Sequence, residues 1–400
     1  MAGPQGPLGT GPDDGGGTLP RPGLLRGGAD DGGGTLPPPG PGPGSGSLPD
    51  TITETEAMVR ALELARRGVR GANPLVGAVI LGHAGEVLST GYHRGAGTPH
   101  AEADALAAAA AAGADVAGAT MVVTLEPCNH TGRTGPCTQA ILKAGITRVV
   151  YAAVDPTAEA SGGAATLAAA GVQTSGGLMA AESGELNHRW IRAMQEQRPF
   201  VTVKIAQSLD GRTAAEDGTS QWITGSAART DGHTIRSRAD AVVVGTGTVL
   251  ADDPQLTARD ELGGAAPRQP LRVAVGHRPV PADAAIRGTD NRFLQLAEHD
   301  PAAICRELYS RGVRHLMVEG GATVAGAFLR DGLTDELVSY VAPLLLGAGT
   351  SAVGALGVHT LADASRWRWD ETGGGAVRRE GQDLRLRLEP LPASGVLPDN

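Results

Sequence analysis

Thr98-Pro99-His100-Ala101-Glu102 and, further along, Leu125-Glu126-Pro127-Cys128-Asn129-His130-Thr131-Gly132-Arg133-Thr134-Gly135-Pro136-Cys137 carry the densest chemistry in this 400-residue chain. One imidazole (His100) and two thiolates (Cys128, Cys137) suit zinc, which is tetrahedral and accepts nitrogen and sulfur ligands. Three protein ligands leave a fourth position for water, and zinc lowers the pKa of that water towards 7. Glu102, two residues after His100, can reach the water and move its proton to a leaving group. The order of residues matches the first half of the zinc-deaminase signature, His-x-Glu followed by Pro-Cys-x-x-Cys. The second half departs from it, with eight residues between the cysteines. The intervening loop has Arg133 at its tip, placed to read a substrate beside the metal.

Around this motif strands alternate with helices. Thr53 and Glu56 have capping-box spacing, and Ala57, Met58, Ala61, Leu62 and Ala65 form one helical face. The pattern predicts strands at 77–81, 86–90, 120–124 and 148–153, and helices at 101–112 and 138–143. A second run begins after Arg198-Pro199. It has expected strands at 200–206, 241–244, 271–275, 315–318 and 336–341, and helices at 227–237, 301–310 and 322–330. In the first of these strands Val201, Val203 and Ile205 share a face opposite Thr202 and Lys204. Leu384, Leu386 and Leu388 alternate with Arg385 and Arg387, which predicts a half-exposed strand. The fold class is α/β, in two layered domains. The expected boundaries are a tail at 1–49, domains at 50–196 and 197–390, and a C-terminal tail at 391–400. Residues 1–50 hold 17 Gly and 11 Pro, and Asp-Asp-Gly-Gly-Gly-Thr-Leu-Pro occurs at both 13–20 and 30–37. Such a segment buries too little apolar surface to order itself, so the tail is expected to be disordered.

Composition narrows the function. Hydrophobic residues make up 41% and charged residues 19%, values typical of a soluble globular protein. The net charge of -9 argues against a general nucleic-acid binder, so a phosphate must be met by local arginines. No run approaches the ~20 apolar residues of a membrane span, and no secretory leader is expected. Three cysteines (Cys128, Cys137, Cys305) exclude a disulfide scaffold and fit the reducing cytoplasm. Cys305 reads as an inert helix core residue.

The segments Leu125-Glu126-Pro127-Cys128, His130, Gly132-Arg133-Thr134 and Pro136-Cys137 resemble the bifunctional riboflavin-biosynthesis family, in which a pyrimidine deaminase is fused to a pyrimidine-ribose reductase. Ala72-Asn73-Pro74-Leu75-Val76-Gly77-Ala78-Val79 is similar to that family's N-terminal substrate motif. Ala72 and Gly135 stand where the family often has proline, and Asp155-Pro156-Thr157-Ala158 departs from its Asp-Pro-Asn-Pro. The resemblance implies a cytidine-deaminase-like domain that uses zinc, with Asn73 on the pyrimidine, His130 near the substrate and Arg133 on its ribose phosphate.

In the second half, Gly245-Thr246-Gly247 is a weak dinucleotide motif because the third glycine is missing. Glu319-Gly320-Gly321-Ala322-Thr323 follows a strand and opens a helix, a placement equally suited to a pyrophosphate or to a plain tight turn. The stretches 203–212, Ser220-Gln221-Trp222-Ile223-Thr224 and 249–257 resemble the reductase module of the same family, which is similar in fold to dihydrofolate reductase and uses NADPH. That resemblance implies NADPH contacts at Ala206, Trp222, Thr248 and a turn of Gly321, Ala322, Thr323, Val324, Ala325, Gly326 and Ala327. It implies substrate contacts at Ser220, Arg236, Leu256, Arg259 and Glu319, with Asp252 between the two ligands. Arg236 and Arg259 can each present a fork to phosphate. For Lys204, binding and plain solvation are equally open. The expected partners are phosphoribosylaminopyrimidines, with no nucleic acid and no membrane, and self-assembly through the reductase domain is left open. Two rivals stand beside this reading. A nucleoside or tRNA base deaminase is disfavoured by the Cys128–Cys137 spacing and the Arg133 loop. A zinc-stabilised binding module is disfavoured by the open fourth position and Glu102.

Overall fold

The computed structural model describes residues 51–391 apart from 70–71, 96, 130–134, 158–160, 261 and 372–374. The expected tail at 1–49, nearly all of the tail at 391–400, and both His130 and Arg133 lie outside the described residues. Thr53 caps helix α1 (Glu54–Ala65) as its spacing predicts. Its Oγ1 accepts the Glu56 N–H at 3.2 Å, and the Glu56 carboxylate accepts the Thr53 N–H at 2.8 Å. The face Ala57, Met58, Ala61, Leu62 and Ala65 is buried against the first sheet.

That sheet contains β1 (Gly77–Leu81), β2 (Val87–Tyr92), β3 (Thr120–Leu125), β4 (Arg148–Ala153) and β5 (Gln173–Gly176), ordered β2-β1-β3-β4-β5. β1 is antiparallel to both β2 and β3, and the remaining pairs are parallel. Helix α2 (Ala101–Ala111) lies so close to β2 that a Cβ on Gly91 would sit 2.3 Å from the Ala105 nitrogen. The alanine-rich face of α2 makes this approach possible and fixes the height of His100 and Glu102 over the sheet. Helices α3 (Cys137–Lys143), α4 (Gly163–Ala169) and α5 (Ala180–Glu196) complete this half. The sequence gives little sign of α4, β5 or α5. The buried positions of α5 include Ser183 and Asn187, which interrupt an apolar periodicity.

The second half contains β6 (Phe200–Ser208), β7 (Arg212–Ala214), α6 (Ser226–Arg238), β8 (Ala241–Gly245), α7 (Thr246–Asp252), β9 (Leu271–Val275), β10 (Phe293–Leu296), α8 (Pro301–Ser310), β11 (His315–Val318) and α9 (Ala322–Arg330). It continues with β12 (Glu336–Ala342), β13 (Thr350–Ser351), β14 (Trp367–Trp369), β15 (Val377–Glu380) and β16 (Asp383–Pro390). Its main sheet runs β10-β9-β8-β11-β6-β12-β16-β14, with β15 beside β16, and β7 pairs with β13 separately. The strands from β10 to β12 are parallel and β16 is antiparallel to β12. Val201, Val203, Ile205, Val243, Leu316 and Phe328 form its core, and Cys305 is buried with them.

Two expectations change. β16 is inverted: Arg385 and Arg387 are buried, whereas Leu384 is 45% exposed. The arginines turn inward because Arg385 meets Asp231 on α6 at 3.2 Å, and Arg387 meets Glu336 at 2.8 Å and Asp370 at 2.7 Å. Thr202 is buried rather than on a solvated face, and its hydroxyl donates to Glu336 at 2.7 Å. The helix expected at 322–330 is α9, so the residues 321–327 singled out for NADPH fall on its first turns, and Ala325 and Gly326 face the interior.

Glu336 also joins the two halves. Its carboxylate accepts from Arg189 of α5 at 3.0 Å, while the adjacent Asp335 receives two bonds from Arg198 at 2.7 and 2.8 Å. Burial alone would raise the Glu336 carboxyl, but the Arg189 and Arg387 guanidiniums outweigh it and hold the group well below its ordinary 4.5. A depressed folded pKa contributes stability above the unfolded value and loses it as pH falls. Replacing Glu336 with glutamine leaves two largely buried arginines short of a charge partner. We expect a loss of about 3–5 kcal/mol in urea unfolding at pH 7, shrinking below pH 4.5. A loss under about 1 kcal/mol, within the range of a surface pair, would show that the network is not a joint between the halves.

Candidate active sites

The end of β3 and the start of α3 bring Cys128 and Cys137 to the N-terminal end of α2, where His100 is the capping residue. His100 Nδ1 lies 3.5 Å from Cys128 Sγ and 3.4 Å from Cys137 Sγ. Tetrahedral zinc at ordinary Zn–S and Zn–N lengths would space such atoms about 3.6 Å apart. The donor set and its spacing therefore fit zinc. Among the described residues this is the one cluster of His, Cys, Asp or Glu able to hold a metal. Cys137 and His100 pull the Cys128 thiol well down towards thiolate, helped by the Cys137 N–H at 3.4 Å. Glu102 faces the same cavity, and burial raises its carboxyl to about 7.

The cavity holds about 240 Å³ and is also lined by Asn73, His93, Asp155, Trp190 and Met194. His93 fixes the orientation of Asn73. Its Nδ1 lies 2.9 Å from the Pro99 carbonyl, which can only accept, so Nδ1 carries the proton. Nε2 then accepts from Asn73 Nδ2 at 3.0 Å, which leaves Asn73 Oδ1 as the atom with an unused lone pair. Burial lowers the His93 pKa and keeps the ring neutral. Asn187 holds the same segment by bonding the Leu75 N–H at 2.8 Å and the Leu75 carbonyl at 2.9 Å. Trp190 donates to the Ala72 carbonyl at 3.0 Å. His93, Asn187, Trp190 and Met194 escaped the sequence reading. Nothing marks His93 beyond its place after a strand, and the others reach the site from α5.

A second cavity, of about 610 Å³, opens at the C-terminal ends of β6, β8 and β11. β6 supplies Ala206, the loop before α6 supplies Ser220 and Trp222, and α6 supplies Arg236. α7 supplies Thr248 and Asp252, the loop after it Leu256 and Arg259, and the end of β11 Glu319. Trp222 is 68% exposed, and Arg229 stands 4.5 Å over its ring. The Gly321 N–H donates to Thr248 Oγ1 at 3.3 Å and so ties the start of α9 to α7. Of 321–327, Gly321 and Thr323 are exposed, Ala322, Val324 and Ala327 are half-buried, and Ala325 and Gly326 point away from solvent. A broad groove with a flat indole fits a dinucleotide; none of 321–327 lines it, and the start of α9 adjoins it through Thr248.

The fork of Arg236 is not free for phosphate. It donates to both Glu319 oxygens at 2.7 and 2.8 Å, and to the Thr257 carbonyl at 2.7 Å. Burial would raise Glu319, but Arg236 holds it down at about 2. Lys204 Nζ sits 3.9 Å from the same carboxylate and is not simply solvated. Arg259 is exposed, and among the described residues its guanidinium bonds Gln255, at 3.3 Å.

The fold and the two sites describe a zinc deaminase joined to a reductase. Residues 52–153 match the cytidine and deoxycytidylate deaminase zinc-binding region, and residues 199–373 match the RibD C-terminal domain. The riboflavin biosynthesis protein RibD of Mycobacterium tuberculosis is 45% identical, over 83% of this chain and 96% of that protein. The structure of Acinetobacter baumannii RibD, form 2, aligns with TM-score 0.76 at 36% identity, covering 84% of this chain and 99% of that one. A Thermotoga maritima diaminohydroxyphosphoribosylaminopyrimidine deaminase/5-amino-6-(5-phosphoribosylamino)uracil reductase aligns with TM-score 0.74 at 30% identity, covering 84% and 99%. The chain belongs to the RibD family of riboflavin biosynthesis proteins. It is a bifunctional deaminase and reductase acting on small molecules, with a zinc-binding deaminase half and an NADPH-dependent reductase half. Among the described residues, no helix is long and apolar enough to cross a membrane.

Proposed function

We propose that the chain removes the 2-amino group of 2,5-diamino-6-(5-phosphoribosylamino)pyrimidin-4-one and then reduces the ribose of the resulting 5-amino-6-(5-phosphoribosylamino)uracil to ribityl. In this reading His100, Cys128 and Cys137 hold the zinc. Zinc bound there supplies a water acidic enough to serve as nucleophile near neutral pH. Glu102 would carry the protons of the attacking water, one to the ring nitrogen beside the amine-bearing carbon and one to the departing amine, so that ammonia leaves as the carbonyl forms. A carboxyl facing the cavity beside the donor cluster is placed to do both. Asn73, its amide aimed by His93, offers Oδ1 to an N–H of the pyrimidine. His130 and Arg133 are assigned to the substrate and its phosphate. The convergence of His100, Cys128, Cys137 and Glu102 on one cavity carries the reading.

In the second cavity NADPH supplies the hydride. Trp222, Ala206, Thr248, Asp252 and the exposed start of α9 orient the cofactor. Ser220, Leu256 and Arg259 hold the substrate, with Arg259 on its phosphate. Arg236 acts through Glu319, keeping that carboxylate ionised beside the ribose. The same reading places the work in the reducing cytoplasm, where the thiols of the metal site stay free. Two assays on one preparation test it: ammonia release from the diaminopyrimidine, and NADPH oxidation started with the deaminated compound. Both should run. Turnover of neither compound, or ammonia release from cytidine or tRNA instead, would reject it.

A further inference from the structure

Between the two halves runs a cleft of about 540 Å³ that belongs to neither site described above. One wall is the C-terminal end of α1 with Arg66, and the other is the end of α6 with Arg238 and the 259–268 loop. Arg259 lines both this cleft and the reductase cavity, so the two adjoin.

The charges of this cleft are unbalanced. Four arginines and one carboxylate line it: Arg66, Arg238, Arg259, Arg268 and Asp260. Arg268 is committed to Asp240. Asp260 is committed to its own loop, where Oδ1 accepts the N–H groups of Leu262 at 3.0 Å and Gly264 at 2.8 Å. Among the described residues, the guanidiniums of Arg66 and Arg238 make no ion pair or hydrogen bond, and Arg259 meets no carboxylate. Partial desolvation lowers the Arg238 pKa, as does the proximity of Arg189, Arg387 and Arg385, while Asp231 raises it. Of the acids in the adjoining cavity, Asp231 offsets part of this, and it is shared. Asp231 is taken by Arg385 and Tyr340, and Glu336 by Arg189 and Arg387. Arg66 and Arg238 line that adjoining cavity as well, with Glu182 and Glu185, which do not line the cleft and, among the described residues, pair with neither arginine.

In a chain of net charge -9, three arginines against the single carboxylate of Asp260, leading into a substrate site, are a local attractor for an anion. Taking the second cavity as the reductase site, as proposed above, we propose that this cleft captures the phosphate monoester of the reductase substrate and passes it to Arg259. Arg66 then serves the reductase from within the deaminase half. The ligand class is a phosphorylated pentosyl pyrimidine, selected over its dephosphorylated counterpart by charge.

The test is steady-state NADPH oxidation by the native chain, by the Arg66→Ala/Arg238→Ala double variant and by the matching double lysine variant. The substrate is the deaminated compound with and without its phosphate, at low and high salt. At low salt the alanine variant should show a KM for the phosphorylated compound raised about tenfold, within the range of electrostatic steering. The KM for NADPH should stay the same, and the difference should close at high salt. The dephosphorylated compound should not distinguish native from variant, and the lysine variant should recover most of the loss. An unchanged KM for the phosphorylated compound at low salt would overturn the inference. An equal loss with the dephosphorylated compound would also overturn it, by showing a structural role for the arginines. If the native chain oxidises no NADPH with either compound, the reductase reading itself fails and takes this inference with it.

Discussion

Changing Cys137 to serine is expected to empty the metal site and abolish ammonia release, while NADPH oxidation with the deaminated substrate continues. Cys137 opens α3, and its Sγ is one of three donor atoms within 4.8 Å of one another. A serine hydroxyl at this position stays protonated near neutral pH and cannot replace a thiolate on zinc. Removing one of three protein ligands leaves an imidazole and a single thiolate, too few for a stable site. Zinc measured by atomic absorption should fall from about one per chain to near zero. The reductase cavity draws on no residue of the Cys128–Cys137 segment, so its rate should hold. Full zinc retention in this variant would remove Cys137 from the ligand set.

Glu102→Gln should separate binding from chemistry at the same site. Glutamine keeps the shape of the side chain and loses the proton it exchanges. Glu102 is not among the metal-holding cluster, so zinc should remain. Ammonia release should fall by about 10²–10⁴-fold, the usual cost of losing a general acid–base group. The variant should still oxidise NADPH when given the deaminated compound. Near-normal ammonia release would place the proton transfer elsewhere. Loss of both rates with an intact fold would show that the halves are coupled, through contacts such as Arg189 to Glu336.

The donor cluster was legible in the sequence because Cys128 and Cys137 lie on one strand–loop–helix unit and His100 opens the helix before it, an order of residue types that matches a known signature. The parallel strands of the second half other than β10 were legible for a similar reason: each is a short apolar run between turn residues. β10 was not expected. What stayed hidden depends on partners far along the chain. Asn187 grips Leu75 across 112 residues, and Trp190 reaches Ala72 across 118. α5 carries these residues, and its buried Ser183 and Asn187 break the apolar rhythm that would announce it. In β16 the alternation was visible but its direction was not. Leucine inward is the default only until buried acids are available. Asp231 and Glu336, from α6 and β12, draw Arg385 and Arg387 inside. Arg236 likewise appeared free for phosphate until Glu319, 83 residues away, closed its fork.

The central claim is that one chain performs two reactions in a fixed order, and product mass tests it most directly. The native protein is incubated with 2,5-diamino-6-(5-phosphoribosylamino)pyrimidin-4-one, first alone and then with NADPH. Alone, the product should carry one oxygen in place of one amino group and go no further. With NADPH, the same product should gain a pair of hydrogens. A product that gains hydrogens while keeping both amino groups would contradict the order of the steps. An unaltered substrate in both tubes would contradict the account as a whole.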